Sequence, residues 1–523
     1  MPATAPTQKP ELRKSGFPTW TTFFLSVAML VVLASAGIIY LLANWPFAKQ
    51  RLIDALQESS VRSVTIGRFR RTYFPPGCVA EDIRFLHRRD KSKPPLIAIQ
   101  TIVVEGSYLG LIRSPARLTK VLVRGMHVTV PPTQPGKTNP VMPLTNVNSA
   151  HPIVIGTVIA DGTVLDFVSS REGREPFQLV LEKLALEDVG NNTPISYQAS
   201  IQNSDPPGLI QSTGRVGPWV SDDPGQTPVI GSFSFEHANL GVFSGVSGIL
   251  SSGGQFSGRL SQIKVSGNCE VPNLHVAHSA HKERLMAAYQ AAVNADNGDT
   301  MLDQIQSSFN RTVLVSKGAV SGAGGSKGKT VTLDVTTKQG RIEDLLDMFL
   351  SAPTAAVTGS IDARAKVIVP PGPVEFLRKI DVEGDFGLTD SKFTNNEKQN
   401  ALNKLSSSAE PNESKAEKEN PGTVLSNVKG HVTAKNGLAT LTNISFSMPG
   451  AEAQIHGTFN LLTEEVNLHG VLITDGKVWE ATHGIKSLLM HALTPFLKHR
   501  SHMTSVPFKI TGKYPDPSIG LDL

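Results

Sequence analysis

Apolar and polar positions alternate over much of the chain, most clearly between Ala451 and Gly470. The odd positions from Ala451 to Leu461 are apolar or glycine, and the even positions between them are polar. Because a strand has a side-chain period of two, this pattern predicts a β-hairpin with one apolar face. Gly457 lies within the apolar series, where a strand normally has a packing side chain.

Similar patterns predict strands over most of the chain. After a short predicted helix at Phe47–Ser59, four β-branched stretches predict strands at residues 63–71, 78–87, 95–106 and 119–132. From Ile153 onward strand follows strand, with hairpin turns expected at Asp161-Gly162 and Asn436-Gly437. No alternation of strands with helices is seen, which disfavours a doubly wound parallel sheet.

Two segments have helical spacing instead. Apolar residues at Ile342, Leu345, Leu346 and Phe349 predict an amphipathic helix. Residues 477–500 predict a larger one, which either packs on its own sheet or lies on a membrane or at the end of a groove. The predicted divisions are a tail at 1–18, an anchor at 19–45, a β region at 46–132, a linker at 133–152, a central β region at 153–395, a low-complexity linker at 396–422 and a C-terminal β region at 423–523.

A five-residue pattern recurs, in which glycine stands midway between two apolar residues. The central glycines are Gly267, Gly359, Gly384, Gly430, Gly457, Gly470 and Gly512. On a strand each glycine shares a face with its two apolar neighbours. Interior glycine permits bending or close approach of a ligand. The pattern therefore fits a curved sheet with a roomy apolar concave face, and it fits a packed β-sandwich equally well.

One segment has the length and composition of a membrane span. Phe23–Leu42 contains twenty residues without a charge, and at ~1.5 Å per residue they match the ~30 Å hydrocarbon core of a bilayer. A signal-peptide cleavage site is suggested by Ala34–Gly37, but the apolar run continues beyond it. We therefore expect a retained single-pass anchor.

Candidate chemistry in the sequence is sparse. Ala323–Thr330 resembles a phosphate-binding loop but lacks its first glycine and precedes a strand pattern rather than a helix. His275, His278 and His281 have no carboxylate among them, which disfavours a zinc site. No catalytic constellation is found, so we expect neither an enzyme nor a bound metal or cofactor. The two cysteines, Cys78 and Cys269, are compatible with one disulfide or with two free thiols.

Basic residues are in excess just after the apolar segment. The residues Arg68, Arg70, Arg71, Arg88 and Arg89 are candidates for contact with anionic lipid head groups. A solvated basic surface without a ligand is the alternative interpretation. The net charge of +5 is small for 523 residues and does not indicate a nucleic-acid partner.

Extended stretches resemble the AsmA-like family of membrane-anchored envelope proteins, which is related to TamB-type and chorein-like lipid-transfer proteins. The resemblance rests on the anchor followed by residues 64–87 and 95–130, on 217–267 and 367–394, and on 436–489. It implies an inner-membrane helix with a cytoplasmic N-terminus and a periplasmic β-rich body forming a taco-like groove for acyl chains. It transfers no catalytic residues. The predicted fold class is therefore mainly β, with a single N-terminal transmembrane helix, an elongated, curved antiparallel sheet and a few amphipathic helices.

Two functions follow as hypotheses. The first is a lipid-binding or lipid-transfer protein in outer-membrane assembly or envelope lipid homeostasis, with phospholipids and envelope proteins as partners. The second is a non-catalytic scaffold for outer-membrane protein assembly, with apolar rows facing each other across two sheets. The groove candidates are Ile444, Phe446, Ala453, Ile455, Phe459, Leu461, Val466 and Leu468.

Overall fold

A computed structural model describes residues 47–60, 63–86, 95–112, 116–130, 153–167, 177–190, 193–204, 206–220, 223–295, 298–322, 328–395, 426–448, 451–475 and 503–522. The chain is mainly β and forms one large open sheet with few helices. No helix in the described ranges is long and apolar enough to cross a bilayer. The predicted anchor at Phe23–Leu42 and the predicted helix at 477–500 lie outside those ranges.

The N-terminal half of the sheet begins with helix α1 (Lys49–Ser60), close to the predicted bounds. The strands that follow are β1 (Ser63–Thr72), β2 (Gly77–Leu86), β3 (Ile97–Gly106), β4 (Ala116–Val130), β5 (Ile153–Phe167), β6 (Phe177–Val189), β7 (Ile195–Ser204), β8 (Pro207–Val216), β9 (Pro228–Asn239), β10 (Val246–Ser247), β11 (Ile249–Arg259) and β12 (Gln262–Val276). A short helix α2 (Tyr108–Ile112) joins β3 to β4. The four strands expected before residue 132 are therefore confirmed.

The C-terminal half contains twelve strands in the described ranges. They are β13 (Glu283–Val293), β14 (Thr300–Phe309), β15 (Thr312–Ser321), β16 (Thr330–Arg341), β17 (Val357–Val369), β18 (Asp381–Phe393), β19 (Ser426–Lys435), β20 (Leu438–Met448), β21 (Ala451–Asn460), β22 (Glu465–Asp475), β23 (Met503–Lys513) and β24 (Ser518–Leu521). Helix α3 (Ile342–Phe349) lies where helical spacing predicted it, and α4 (Phe376–Lys379) precedes β18. The strand predicted after Ala323–Thr330 is β16.

Each strand pairs with the next one along the chain, except that β9 pairs with β11 and the two-residue β10 lies beside β12. All pairs are antiparallel apart from β4 and β5, which are parallel. The expected antiparallel sheet is therefore confirmed with one exception.

The hairpin turn expected at Asp161-Gly162 is wrong, because β5 continues through it. Gly162 has φ +64° and lies beside Gly125 of β4 with φ +58°, so both parallel strands bend at the same level. At Asn436-Gly437 both residues have positive φ, and the expected two-residue turn between β19 and β20 is confirmed. The Asp161-Gly162 pair therefore marks a bend within β5 rather than a chain reversal.

Candidate functional site

Side chains that stand directly opposite each other in adjacent strands share a face of the sheet. Following these partners from strand to strand gives a continuous row on one face, here called the first row. It consists of Cys78, Val104, Val121, Val158, Leu186, Tyr197, Gly214, Gly231, Phe256, Val265, Ala291, Leu302, Gly318, Leu333, Val367, Val382, Ala434, Ala439, Phe459, Val466 and Gly512. All of them are apolar, aromatic or glycine.

A second row runs beside it, two residues away along each strand except β14, where a bulge separates Leu302 and Ile305 by three residues. It consists of Phe69, Ala80, Ile102, Val123, Ala160, Leu184, Ala199, Ser212, Phe233, Gly254, Gly267, Tyr289, Ile305, Ser316, Val335, Ala365, Gly384, Val432, Leu441, Gly457, Leu468, Ile510 and Ile519. The two rows define the apolar face. At ~4.8 Å between strands, it extends for roughly 100 Å measured along the sheet.

The opposite face is polar in the same strands. One of its rows consists of Gln198, Thr213, Ser232, Gln255, Ser266, Gln290 and Gln304. Further along, another consists of Lys317, Asp334, Lys366, Glu383, Thr433, Thr440, Thr458, Asn467, Thr511 and Ser518. The sheet thus presents one face to water, and its other face requires an apolar neighbour.

Helices supply that neighbour at two places. At the N-terminal end, Leu52, Ile53 and Leu56 of α1 pack against a buried cluster that includes Ile83 and Ile102. Near β17–β19, Ile342 and Leu345 of α3 pack against Ile361, Leu388 and Val428. Between these places many side chains of the two rows, such as Phe256 and Val265, are only half-buried. The described strands form one sheet and not two facing sheets.

Helix α3 is held on the sheet by two buried carboxylates in its first turn. Asp344 accepts hydrogen bonds from Thr312 Oγ1 (2.7 Å) and from the Arg311 amide (3.0 Å). Glu343 accepts from the Gly359 amide (3.1 Å) and forms ion pairs with Arg311 and Arg341. Burial raises the pKa of Glu343, but backbone hydrogen bonds and Arg341 outweigh it and leave the pKa below its usual value.

The segment after α3 continues over the sheet towards the C-terminal strands. The Ser351 hydroxyl donates to Glu464 Oε2 (2.6 Å), in the turn between β21 and β22. The Ala356 amide donates to the hydroxyl of Tyr514 (2.8 Å), just after β23. Burial raises the pKa of Tyr514. Residues 350–356 therefore lie opposite β20–β24 and enclose space between them.

That space is a pocket of about 770 Å³, within the usual range for small-molecule sites. One wall is formed by α3 and the segment that follows it, with Ile342, Leu346 and Leu350 among its residues. The other wall is the apolar face itself: Ala439, Leu441, Phe459, Val466, Leu468, Ile510 and Ile519. The pocket is a part of the apolar face that has been roofed by the chain.

The groove candidates from the sequence are distributed over four places. Phe459, Val466 and Leu468 line the pocket. Ile444 and Phe446 pack instead against the cluster under α3. Ala453 and Ile455 are buried, at 0% and 8% exposure, on the same face of β21. Leu461 is half-buried in the turn after β21.

The glycines of the repeated pattern mostly provide close approach rather than empty space. A Cβ at Gly430 would lie 2.7 Å from Cζ of Phe386, and at Gly470 2.6 Å from Cζ of Phe508. In both pairs the two residues are direct cross-strand partners. The aromatic ring therefore covers the glycine of the neighbouring strand.

At the other patterned glycines the close neighbours differ. A Cβ at Gly457, where φ is +147°, would lie 2.2 Å from the Asn467 carbonyl oxygen. Gly359 approaches Ser391, and Gly384 approaches Ala365. The gap in the series at Gly457 is thus filled by the backbone of β22. Gly512 has only Pro517 and Ser518 within 4 Å, both beyond 3.5 Å.

The middle of the apolar face has a repeated arrangement of two glycines between two aromatic residues. In the second row, Phe233 and Tyr289 flank Gly254 and Gly267. The Tyr289 hydroxyl reaches Ser252 Oγ at 2.8 Å, two strands away, so its ring lies across β12. In the first row, Tyr197 and Phe256 flank Gly214 and Gly231 in the same way. The rings of Phe233, Phe256 and Tyr289 therefore lie over glycines of the neighbouring strands.

The other sequence candidates are dispersed. Arg68 forms an ion pair with Glu81 (3.0 Å), and Arg70 and Arg71 are exposed near the end of β1; Arg88 and Arg89 lie outside the described residues. His275, His278 and His281 each contact a different partner: the Ser279 carbonyl, the Glu375 carboxylate and the Ala352 carbonyl. No cluster of metal-ligating side chains occurs in the part of the chain that is described. Both cysteines are free thiols.

Sequence reasoning missed Ile342, Leu346, Ile510 and Ile519 as residues of the pocket. The amphipathic spacing of α3 was visible, but its position over the C-terminal strands depends on the contacts of Glu464 and Tyr514. Comparison with protein-family models, with curated proteins and with solved structures finds no match.

Proposed function

We propose that this chain is a membrane-anchored lipid-binding or lipid-transfer protein whose apolar face holds acyl chains. The observation that carries the proposal is the continuity of the first row, which remains apolar or glycine from Cys78 to Gly512. Its central part is half-buried without a second layer of described residues over it. An apolar surface of this extent marks an interaction site rather than an ordinary protein surface.

The energetics favour an acyl chain as the occupant. Burial contributes about 0.8 kcal/mol per CH₂, so a sixteen-carbon chain gains on the order of 10 kcal/mol on leaving water. The side chains of the face are largely aliphatic and aromatic, so they match a hydrocarbon chain by shape and not by hydrogen bonding. In the pocket, the Tyr514 hydroxyl already accepts a hydrogen bond from the Ala356 amide.

The location and process are part of the same proposal. Phe23–Leu42 is the inner-membrane anchor, the N-terminus is cytoplasmic, and the β-rich body is periplasmic and shaped as a groove. The resemblance to AsmA-like proteins supports a role in outer-membrane assembly or envelope lipid homeostasis. The competing scaffold hypothesis requires apolar rows that face each other across two sheets, and a single open sheet gives it no support.

The test is site-specific photo-crosslinking of the full chain to phospholipid. A benzophenone amino acid is placed at Leu468, which lines the pocket, and separately at Asn467, its neighbour on the polar face. We expect phospholipid adducts at position 468 and at least tenfold fewer at position 467. Equal adducts at both positions, or none at either, would contradict the proposal.

A paired substitution tests the same wall by function. Phe459→Asp with Leu468→Asp places two carboxylates in the pocket, and desolvating each is costly. We expect at least a tenfold loss of phospholipid transfer between vesicles, with an unchanged β-sheet circular dichroism spectrum. Asn467→Asp, on the exposed face of β22, is the matched control and should transfer normally.

A further inference from the structure

Three large apolar side chains stand in solvent at one corner of the sheet. Phe74 is 89% exposed, in the turn between β1 and β2. Leu109 and Ile112, on α2, are 76% and 82% exposed. Single exposed apolar residues are common, but three such residues on adjacent turns form a patch. We call residues 73–76 and 108–112 the apolar tip.

The apolar tip is a built structure. The Tyr108 hydroxyl donates to the Tyr73 carbonyl at 2.7 Å, which joins α2 to the β1–β2 turn. The rings of Phe74 and Tyr108 lie 6.1 Å apart in a tilted arrangement. The exposed side chains are therefore presented from two elements that are fastened to each other, not from a loose loop.

The first described residue of the chain, Phe47, lies beside the apolar tip. The Gly106 amide donates to the Pro76 carbonyl at 2.7 Å. A Cβ at Gly106 would lie 3.6 Å from Cζ of Phe47 and 3.6 Å from Cδ2 of Leu111. Phe47 is only five residues after the apolar segment that ends at Leu42, a reach of at most ~17 Å. The tip therefore lies beside Phe47, from which five residues of chain lead back to the end of the apolar segment.

Charge at the tip also suits a bilayer surface. Arg70 and Arg71 are exposed and lie three or four residues before Phe74. Arg68, two residues further back, has a side chain that is 88% exposed even in its pair with Glu81. Apolar side chains flanked by arginines match the layered structure of a membrane interface, with acyl chains beneath anionic head groups.

We propose that the apolar tip inserts Phe74, Leu109 and Ile112 into the surface of the bilayer spanned by Phe23–Leu42. The inference rests on the membrane anchorage in the proposed function and not on its lipid cargo. Insertion fixes the orientation of the body relative to the membrane. It places the β1–β4 end of the sheet at the membrane surface, and the open part of the apolar face begins beyond the strands that α1 covers.

The experiment uses the full chain reconstituted in vesicles of phosphatidylethanolamine and phosphatidylglycerol. Nitroxide labels are attached at Phe74→Cys, Leu109→Cys and Ile112→Cys in a Cys269→Ser background, where Cys78 is buried at 1% exposure. The control is Met301→Cys, an apolar residue that is 58% exposed on the polar face of β14. Power-saturation measurements give the accessibility of each label to oxygen and to a water-soluble nickel complex.

We expect the three tip labels to lose at least tenfold nickel accessibility relative to Met301→Cys and to gain oxygen accessibility. If nickel accessibility at position 74 equals that of the control, the proposed insertion of the apolar tip is wrong, but the proposed membrane anchorage is not affected. Exclusion of both reagents would indicate a protein cover and would also overturn the proposed insertion. If the chain fails to float with the vesicles, the anchorage fails and this inference with it.

Discussion

The first row has the same chemistry in β3 and in β12, but its surroundings differ. Val104 in β3 is 6% exposed because α1 lies over that end of the face. Val265 in β12 is half-buried, and no described helix covers it. Alternation in the sequence therefore specifies which side chains share a face. Whether that face becomes a core depends on what is placed over it.

The covered and open regions should differ in how they are stabilised. Under α1, apolar burial adds to the backbone ladder, as it does in an ordinary domain core. In the open region the ladder holds the strands together while much apolar area stays near water. A lipid on that face would supply the missing burial, so binding and local stability are linked there.

Substitution of one isoleucine in each region gives the largest expected contrast. Ile83→Ala, at 0% exposure in β2, removes a fully packed side chain and should cost about 3–4 kcal/mol. Ile305→Ala, half-buried in the second row of β14, should cost about 1 kcal/mol in the lipid-free protein. Hydrogen exchange of the amides of β2 and β14 measures both opening free energies. Equal costs would show that the open region is covered in solution.

The strands were predictable because the alternation is unbroken over short distances. The limits of local signals appear at two turns with the same chemistry. Asn436-Gly437 reverses the chain, whereas Asp161-Gly162 only bends β5 beside Gly125. A glycine with positive φ permits either outcome, and the pairing partner decides between them. That partner is distant in sequence, so no local pattern reveals it.

The candidate site was predictable only along single strands. Phe459, Val466 and Leu468 were identified because they follow the period of one hairpin. The roof formed by α3 depends on Glu464 and Tyr514, more than one hundred residues later. From the sequence, the glycine pattern fits a roomy concave face and a packed β-sandwich equally well. Which aromatic ring faces each of them depends on strand register, as Phe508 over Gly470 illustrates.

Loosening α3 would convert a covered region into an open one. Glu343→Gln removes the charge that pairs with Arg311 and Arg341, and it should ease opening of α3 by about 2 kcal/mol at neutral pH. The lowered pKa of Glu343 means that its contribution is present above the ordinary carboxyl value. It is lost as the pH falls through the lowered value. Hydrogen exchange of α3 amides, corrected for intrinsic rates, should show this acid-induced opening in the parent and not in the variant.

Asp347 provides the control of opposite sign on the same helix. Burial raises its pKa, so its ionised form costs stability as the pH rises through that raised value. Asp347→Asn should therefore leave α3 unchanged or slightly more protected at pH 7. If Asp347→Asn increased hydrogen exchange of the α3 amides as much as Glu343→Gln, the Glu343 ion pairs would have no specific role in holding α3.

The modification rates of the two free thiols compare the covered region with the open region without any substitution that would alter the packing. Cys78, under α1, is 1% exposed, and burial raises its pKa to about 11 from 9.0. At pH 8 its thiolate fraction is therefore about one hundredfold below that of an ordinary thiol. Cys269, in the open region, is half-buried, and burial also raises its pKa. We expect a maleimide to modify Cys269 at least tenfold faster than Cys78. We expect phospholipid to slow only Cys269, because both thiols lie on the apolar face but only the part around Cys269 is open. Mass spectrometry of the two peptides measures both rates, and lipid protection of Cys78 alone would reverse the assignment of the covered and open regions.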